Sequence, residues 1–229
     1  MDTYAEMNEA EPPVFLKSKH HYKEMAMYKA VIFDFGNVLC KVERENFVRV
    51  AARHSRTMGA EDLLNALWGT ELEYEFETGK FDSHEYFKRL QAIADFDPVY
   101  SYERFVEDYK RIIVPNPDGE WGLKTAAGLG ARTFVLSNTS FLHASVIFDN
   151  EVLGTYPELY ILSYKVGVMK PDPRIWKKLL EYTRLEPEDC LYIDDIEQYC
   201  EAARSLGMSA FRYDFRTQYL SQELKNMLQ

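Results

Sequence analysis

The sequence predicts an α/β protein, a doubly wound parallel sheet sandwiched by helices, with an all-helical block inserted after the first strand. Three observations carry this. From about residue 116 onward, short apolar runs alternate with amphipathic helical segments. The runs are apolar at consecutive positions, the mark of strands buried on both faces. Between the first run and the rest, about 70 residues show helical periodicity alone. A chain of 229 residues accommodates one large domain with such an insertion, whereas two independent folding units would be cramped.

Residues 1–27 mix Glu, Pro, Lys and His without periodicity and form a peripheral extension. Met25 and Met27 stand just ahead of the first strand, and the adjacent His20 and His21 lie on a polar segment where such pairs are usually solvated. The first strand is Ala30-Val31-Ile32-Phe33. Residues 44–115 are the helical block, striped by Phe47, Val50 and Ala51, then Leu63, Leu64 and Leu67, then Tyr86, Phe87, Leu90 and Ile93, then Phe105, Val106, Tyr109, Ile112 and Ile113. The third of these helices opens at Asp82 with Glu85 three residues on, the capping-box spacing. Pro115-Asn116-Pro117-Asp118 breaks the pattern and permits a new helix near Pro117.

The sheet domain therefore comprises residues 28–43 and 116–229. Its second strand is Thr133 to Leu136, followed by a helix from Leu142 to Phe148 and an apolar run at Tyr160-Ile161-Leu162. A helix opening at Asp172-Pro173 buries Ile175, Trp176, Leu179 and Leu180. Cys190 to Ile193 is a further strand, Glu197 to Leu206 a helix stopped by Gly207, and Ala210-Phe211-Arg212 the last strand.

Composition narrows the partners. The chain has 27 Lys and Arg against 37 Asp and Glu, a net charge of −10, and no basic run, which argues against nucleic acid as a partner. Its apolar runs are strand-sized, far short of the roughly 20 residues that a membrane-spanning helix requires. The acidic start lacks the apolar core of a secretory signal, so the expected location is the cytoplasm. Cys40, Cys190 and Cys200 form no CxxC pair and fit buried thiols in a reducing compartment. These patterns leave the oligomeric state open.

In a doubly wound sheet, ligands bind outside the carboxyl ends of the strands. Asp34 follows the first strand and Ser137-Asn138-Thr139 the second. Lys170-Pro171-Asp172 lies just past the third, and Asp194-Asp195 follows the fourth. Each alone would be an ordinary cap or turn. Four such groups at four consecutive strand ends predict one crevice. Asp34 with Asp195 or Asp194 makes a hard-oxygen site suited to Mg²⁺. The Lys170 ammonium and the Ser137 hydroxyl can hold a dianionic phosphoryl group, and a free carboxylate can attack phosphorus to give an aspartyl phosphate. No GxxxxGK[ST] loop occurs, Gly128-Leu129-Gly130-Ala131 is no dinucleotide fingerprint, and His54, His84 and His143 form no HExxH.

The segments Asp34-Phe35-Gly36-Asn37-Val38-Leu39, Leu136-Ser137-Asn138-Thr139, Gly167-Val168-Met169-Lys170-Pro171-Asp172 and Asp194-Asp195 resemble, in order, the four motifs of the haloacid dehalogenase-like (HAD) superfamily. The resemblance spans residues 28 to about 213. Within the superfamily the chain is similar to the branch that includes bacterial α-D-glucose-1-phosphate phosphatases. It implies a HAD-like Rossmannoid core, with residues 44–115 as a helical cap of the C1 type that closes over the site and selects the substrate. It implies a Mg²⁺-dependent phosphatase of small phosphorylated metabolites, sugar phosphates favoured. Asp34 would be nucleophile and metal ligand, Ser137 and Asn138 phosphate holders, and Lys170 both phosphate holder and charge stabiliser. Asp195 would be the direct metal ligand with Asp194 beside it, and the Gly36 carbonyl would also reach the metal.

Gly36 departs from the family pattern, because most of its phosphatases carry there a second Asp that protonates the leaving oxygen. Either a cap residue between Glu75 and His84 supplies the proton or the substrate has a good leaving group. Tyr199 is a second departure, at a position where relatives often have Asn. In the cap, Glu71, Glu75, Glu77 and Lys80 are candidate substrate contacts, and Tyr86, at helical spacing, is expected in the core. The alternatives are a non-catalytic or regulatory binding protein on this scaffold, and a 2-haloacid dehalogenase, which would have no use for the Asp194-Asp195 pair.

Overall fold

The computed structural model describes residues 27–229, so His20, His21 and Met25 lie outside the described residues. Strands β1 (Ala30–Phe33), β4 (Arg132–Ser137), β5 (Leu159–Leu162), β6 (Cys190–Asp194) and β7 (Ser209–Arg212) form one sheet in the order β5-β4-β1-β6-β7. Every neighbouring pair is parallel, with Ile32 opposite Phe134 on one side and Tyr192 on the other. The chain runs outward from β1 through β4 to β5, then crosses to β6 and β7 on the opposite side. The order thus reverses beside β1, and a crevice opens at such a switch point.

Side chains alternate across each strand, so its apolar residues fall into two cores. Val31, Phe33, Val135, Tyr160, Leu191 and Ile193 pack under helices α6 (Pro117–Gly128), α7 (Phe141–Asp149), α8 (Glu151–Thr155) and α12 (Leu220–Leu228). Ala30, Ile32, Phe134, Leu136, Ile161 and Tyr192 face α10 (Arg174–Thr183) and α11 (Glu197–Ser205), where Ile175, Trp176 and Leu179 cover them. Burial on both faces is why the strands are continuously apolar.

The inserted block has helices α1 (Glu45–Ala51), α2 (Ala60–Leu67), α3 (Glu71–Glu77), α4 (Ser83–Ala94) and α5 (Tyr102–Lys110) around its own core, built of Phe47, Leu63, Phe76, Tyr86, Leu90, Phe105 and Tyr109. Phe76 stacks on Tyr86 at 4.0 Å between centroids, and Phe47 meets Tyr109 edge-on at 5.1 Å. Tyr86 is buried in this core as expected. Leu142 of α7 joins the same cluster, so the block is docked on the sheet domain.

Three expectations change. The block is not helical to its end: α5 stops at Lys110, and Ile113 begins a strand, β3 (Ile113–Pro115), which pairs antiparallel with β2 (Cys40–Val42). The β-branched run Ile112-Ile113-Val114 favours extended backbone, and Pro115 enforces it on the residue before. This ribbon holds the two chain crossings side by side. Helix α10 starts at Arg174 with Pro173 as its N-cap, and the Asp172 carboxylate accepts from the Arg174 amide at 2.9 Å. At α4, Asp82 accepts from the Glu85 amide at 2.8 Å, while the Glu85 carboxylate turns to Arg89, so only half of the expected capping box forms.

Candidate active site

The floor of the site is made by strand ends. Asp34 extends the ladder past β1, its amide donating to the Ile193 carbonyl at 2.8 Å, and its side chain is buried. The Lys170 ammonium donates to Asp34 Oδ1 at 2.6 Å, to Asp194 Oδ2 at 2.7 Å and to the Tyr192 hydroxyl at 3.1 Å. Tyr192 in turn donates to Asp194 Oδ2, and Asp194 Oδ1 accepts from the Ile196 amide at 2.9 Å. Asn138 accepts from the Lys170 amide at 2.7 Å and donates to its carbonyl at 3.0 Å, so its side chain fixes the backbone that presents the lysine. Ser137 is buried beside it and lines the same cavity. Thus the structure brings all seven residues expected from the sequence to one end of the sheet.

Asn37 explains why Asn follows Gly36. It adopts the left-handed conformation at φ 56°, which Asn tolerates better than most residues. From there its amide donates to Asp195 at 3.0 Å and accepts from the Val42 amide at 3.1 Å, tying a metal-ligand candidate to β2. A Cβ at Gly36 would stand 3.1 Å from Val42 Cγ2 and 3.8 Å from Asp34 Oδ2, so β2 packs where a side chain would begin.

Asp34, Asp194 and Asp195 each offer an oxygen within 4.8 Å of the others. One ammonium faces three carboxylates, and the charge is not balanced. Burial pushes the Asp34 carboxyl up, to about 8, against the pull of Lys170. Burial also raises Asp195, opposed by the Asn37 hydrogen bond. For Lys170, burial works against the charge, but the charges of Asp194 and Asp34 together hold it above the usual lysine range. A cluster of hard oxygens short of positive charge fits a divalent cation such as Mg²⁺. Tyr199, the unexplained departure, lies with its ring centroid 4.9 Å from Lys170 Nζ and covers the lysine.

Above this floor lies a cavity of about 550 Å³, with Arg44, Trp68, Glu73 and Glu77 of the cap among its walls together with His143 of α7. Of the five cap residues singled out in the sequence, Glu77 alone reaches the lining. Glu75 faces away, pairing with Lys80 at 3.3 Å and Arg89 at 3.0 Å, and Glu71 is exposed. Glu73 accepts from the Gly69 amide at 2.6 Å and pairs with Arg44 at 3.7 Å. Arg44, Glu73 and His143 escaped the sequence reading. Glu73 had a usable signal, since it stands three residues after Thr70, whose hydroxyl caps α3 by accepting from the Glu73 amide at 3.3 Å.

The helical block is seated by close backbone approach. Gly79, at φ 70°, closes α3, and a Cβ there would lie 2.1 Å from the Tyr164 carbonyl oxygen in α9 (Ser163–Val166) of the sheet domain. Only glycine fits both the conformation and the gap.

Comparison with known proteins places the chain in a family. The family model for haloacid dehalogenase-like hydrolases matches residues 28–207. A D-ribitol-5-phosphate phosphatase of Bacteroides thetaiotaomicron is 24% identical over 194 residues, covering 81% of this chain and 92% of that protein. A phosphatase of Mycobacterium tuberculosis is 32% identical over 108 residues, 47% of this chain and 50% of that protein, so the chain spans only half of that relative. Among solved structures, the magnesium complex of a HAD family enzyme from Bacteroides thetaiotaomicron superposes with a TM-score of 0.72 at 21% identity, covering 84% of this chain and 96% of that one. The finer likeness to α-D-glucose-1-phosphate phosphatases has no counterpart among these three relatives.

The chain belongs to the haloacid dehalogenase-like hydrolase family and is an enzyme of that hydrolase class.

Proposed function

We propose that this hydrolase is a cytoplasmic, Mg²⁺-dependent phosphatase that cleaves small phosphorylated metabolites, sugar or polyol phosphates above all, through a phospho-aspartate on Asp34. The observation that carries the reading is the cluster of Asp34, Lys170, Asp194 and Asp195 beneath a cavity of small-molecule size. Family membership and the two phosphatase relatives support it, and the ribitol-phosphate relative supports the substrate class. The buried free thiols of Cys40, Cys190 and Cys200 suit a reducing compartment.

Asp34 and Asp195, with the Gly36 carbonyl and with Asp194 behind them, would hold the cation, which when bound neutralises charge on the phosphoryl oxygens. Asp34 uses one carboxylate oxygen to attack phosphorus. Lys170, rigidly aimed by Asn138 and Asp194, places its ammonium at the oxygen where negative charge grows, and the Ser137 hydroxyl donates to another. Water then releases phosphate and regenerates the carboxylate. A dehalogenase would leave three carboxylates around one ammonium without a use, and so it fits this floor less well.

Phosphate release from a panel of sugar phosphates, polyol phosphates, nucleotides and an aryl phosphate tests the reading. Turnover that requires Mg²⁺ and is greatest for the sugar and polyol phosphates is expected. Turnover of no phosphate ester would refute it and shift weight to a non-catalytic role.

A further inference from the structure

An alcohol leaving from a sugar phosphate departs poorly as an alkoxide, so the site needs a proton donor at the leaving oxygen and later a base for water. Position 36 offers no side chain, and Val42 crowds it. The ammonium and the Asp195 carboxyl of the cavity floor are committed, and the phenol of Tyr199 is a weak acid that burial weakens further. Lys170 is held by Asp34, Asp194 and Tyr192, and Asp195 by Asn37. In the walls, Glu73 is bound to Gly69 and Arg44. His143 is driven by burial down to about 4 and stays neutral at physiological pH.

Glu77 is different. It is the last residue of α3 and lines the cavity, and among the described residues no ion pair and no hydrogen bond holds its carboxyl. Two residues later, Gly79 presses against the Tyr164 carbonyl, which sets the end of α3 against the sheet domain at the site. Glu77 is near enough to feel both Lys170 and Asp34.

We propose that Glu77 is the catalytic acid and base that the cap supplies in place of a side chain at position 36. This deepens the phosphatase reading above and rests on it. In the first step Asp34 forms a bond to phosphorus while the ester P–O bond breaks. The electron pair goes to the sugar oxygen, and the Glu77 proton follows it, giving the free alcohol and a Glu77 carboxylate. In the second step that carboxylate takes a proton from water as the water oxygen attacks phosphorus. The bond to Asp34 breaks, and inorganic phosphate, the Asp34 carboxylate and protonated Glu77 result. Burial, reinforced by the neighbouring Glu73, pushes Glu77 up to about 8, which agrees with a group that enters the cycle protonated.

The test compares wild type, Glu77→Gln and Glu77→Asp, with Mg²⁺, on a sugar phosphate and on p-nitrophenyl phosphate, whose leaving group departs without a proton. Gln matches the neutral acid in shape, and turnover of the aryl ester reports that the variant is folded and its nucleophile intact. Glu77→Gln should lose about 10²- to 10⁴-fold in kcat/KM on the sugar phosphate and less than about tenfold in kcat/KM on the aryl ester, because kcat/KM ends at departure of the leaving group, whereas kcat on both esters should fall with the loss of the base. Glu77→Asp, which keeps an acid, should recover part of the loss on the sugar phosphate. Equal losses in kcat/KM on the two esters by a variant that melts like wild type, or no loss on the sugar phosphate, would overturn the proposal while leaving the phosphatase reading intact. A wild type that cleaves neither ester would overturn both.

Discussion

The floor and the roof of the cavity differ in how their polar groups are satisfied. On the floor, Lys170 and Asp194 each make three hydrogen bonds, and Asn138 makes two to the backbone that carries the lysine. At the roof, Glu77 has no partner among the described residues and the buried Nε2 of His143 has none. A fully bonded network costs no reorganisation when the reaction begins and suits one fixed chemistry. Groups left unpaired are free to engage what enters. On the proposed function, the sheet domain would supply a general phosphoryl-transfer device, and the helical block would decide which leaving group it serves.

Changes on the floor should therefore act on every substrate, and changes at the roof should discriminate among them. The largest effect expected is from Asp34→Asn, a loss of at least about 10⁴-fold in kcat on sugar and aryl phosphates alike. Sparing of either class would break the comparison. Chelation of Mg²⁺ should likewise silence both, with full recovery on adding the metal back, measured as phosphate release. Gly79→Ala forces α3 away from the Tyr164 carbonyl and moves Glu77, so it should cost about tenfold or more in kcat/KM on a sugar phosphate but much less on p-nitrophenyl phosphate.

The last effect is on stability, not on turnover. His143 stacks on Tyr109 at 4.5 Å, buried at the junction of cap and sheet domain, and burial lowers it to about 4. In the unfolded chain it titrates near 6.5. Between those values the unfolded chain holds the extra proton, so stability is present above 6.5 and drains as pH falls toward 4. The loss is about 3 kcal/mol at roughly 1.4 kcal/mol per pH unit. His143→Phe keeps the stack and should flatten this slope in denaturant melts between pH 4 and 7. An unchanged slope would show that the ring is charged at little cost and that water reaches the roof.

The floor was legible in the sequence because strands buried on both faces announce themselves as apolar runs, and the residues just past each run must lie at the sheet edge. The roof was not. In Glu71-Leu72-Glu73-Tyr74-Glu75-Phe76-Glu77 the charges alternate with a period of two, which masks a helix. Wound at 3.6 residues per turn, the same run splits into two faces, with Glu73 and Glu77 toward the cavity and Glu71 and Glu75 toward solvent. Helix α12 is absent from the elements expected above, although Leu220, Leu224 and Leu228 form a helical stripe that covers one face of the sheet. Arg44 and His143 gave no local signal, since only the docking of cap on sheet domain brings them together.

The central claim is that the phosphoryl group passes through Asp34. Wild type mixed with Mg²⁺ and a labelled sugar phosphate, quenched in acid during turnover and cleaved to peptides, should carry the label on the peptide containing Asp34, and Asp34→Asn should carry none. Steady phosphate release with no label on that peptide, or undiminished release from Asp34→Asn, would contradict the account.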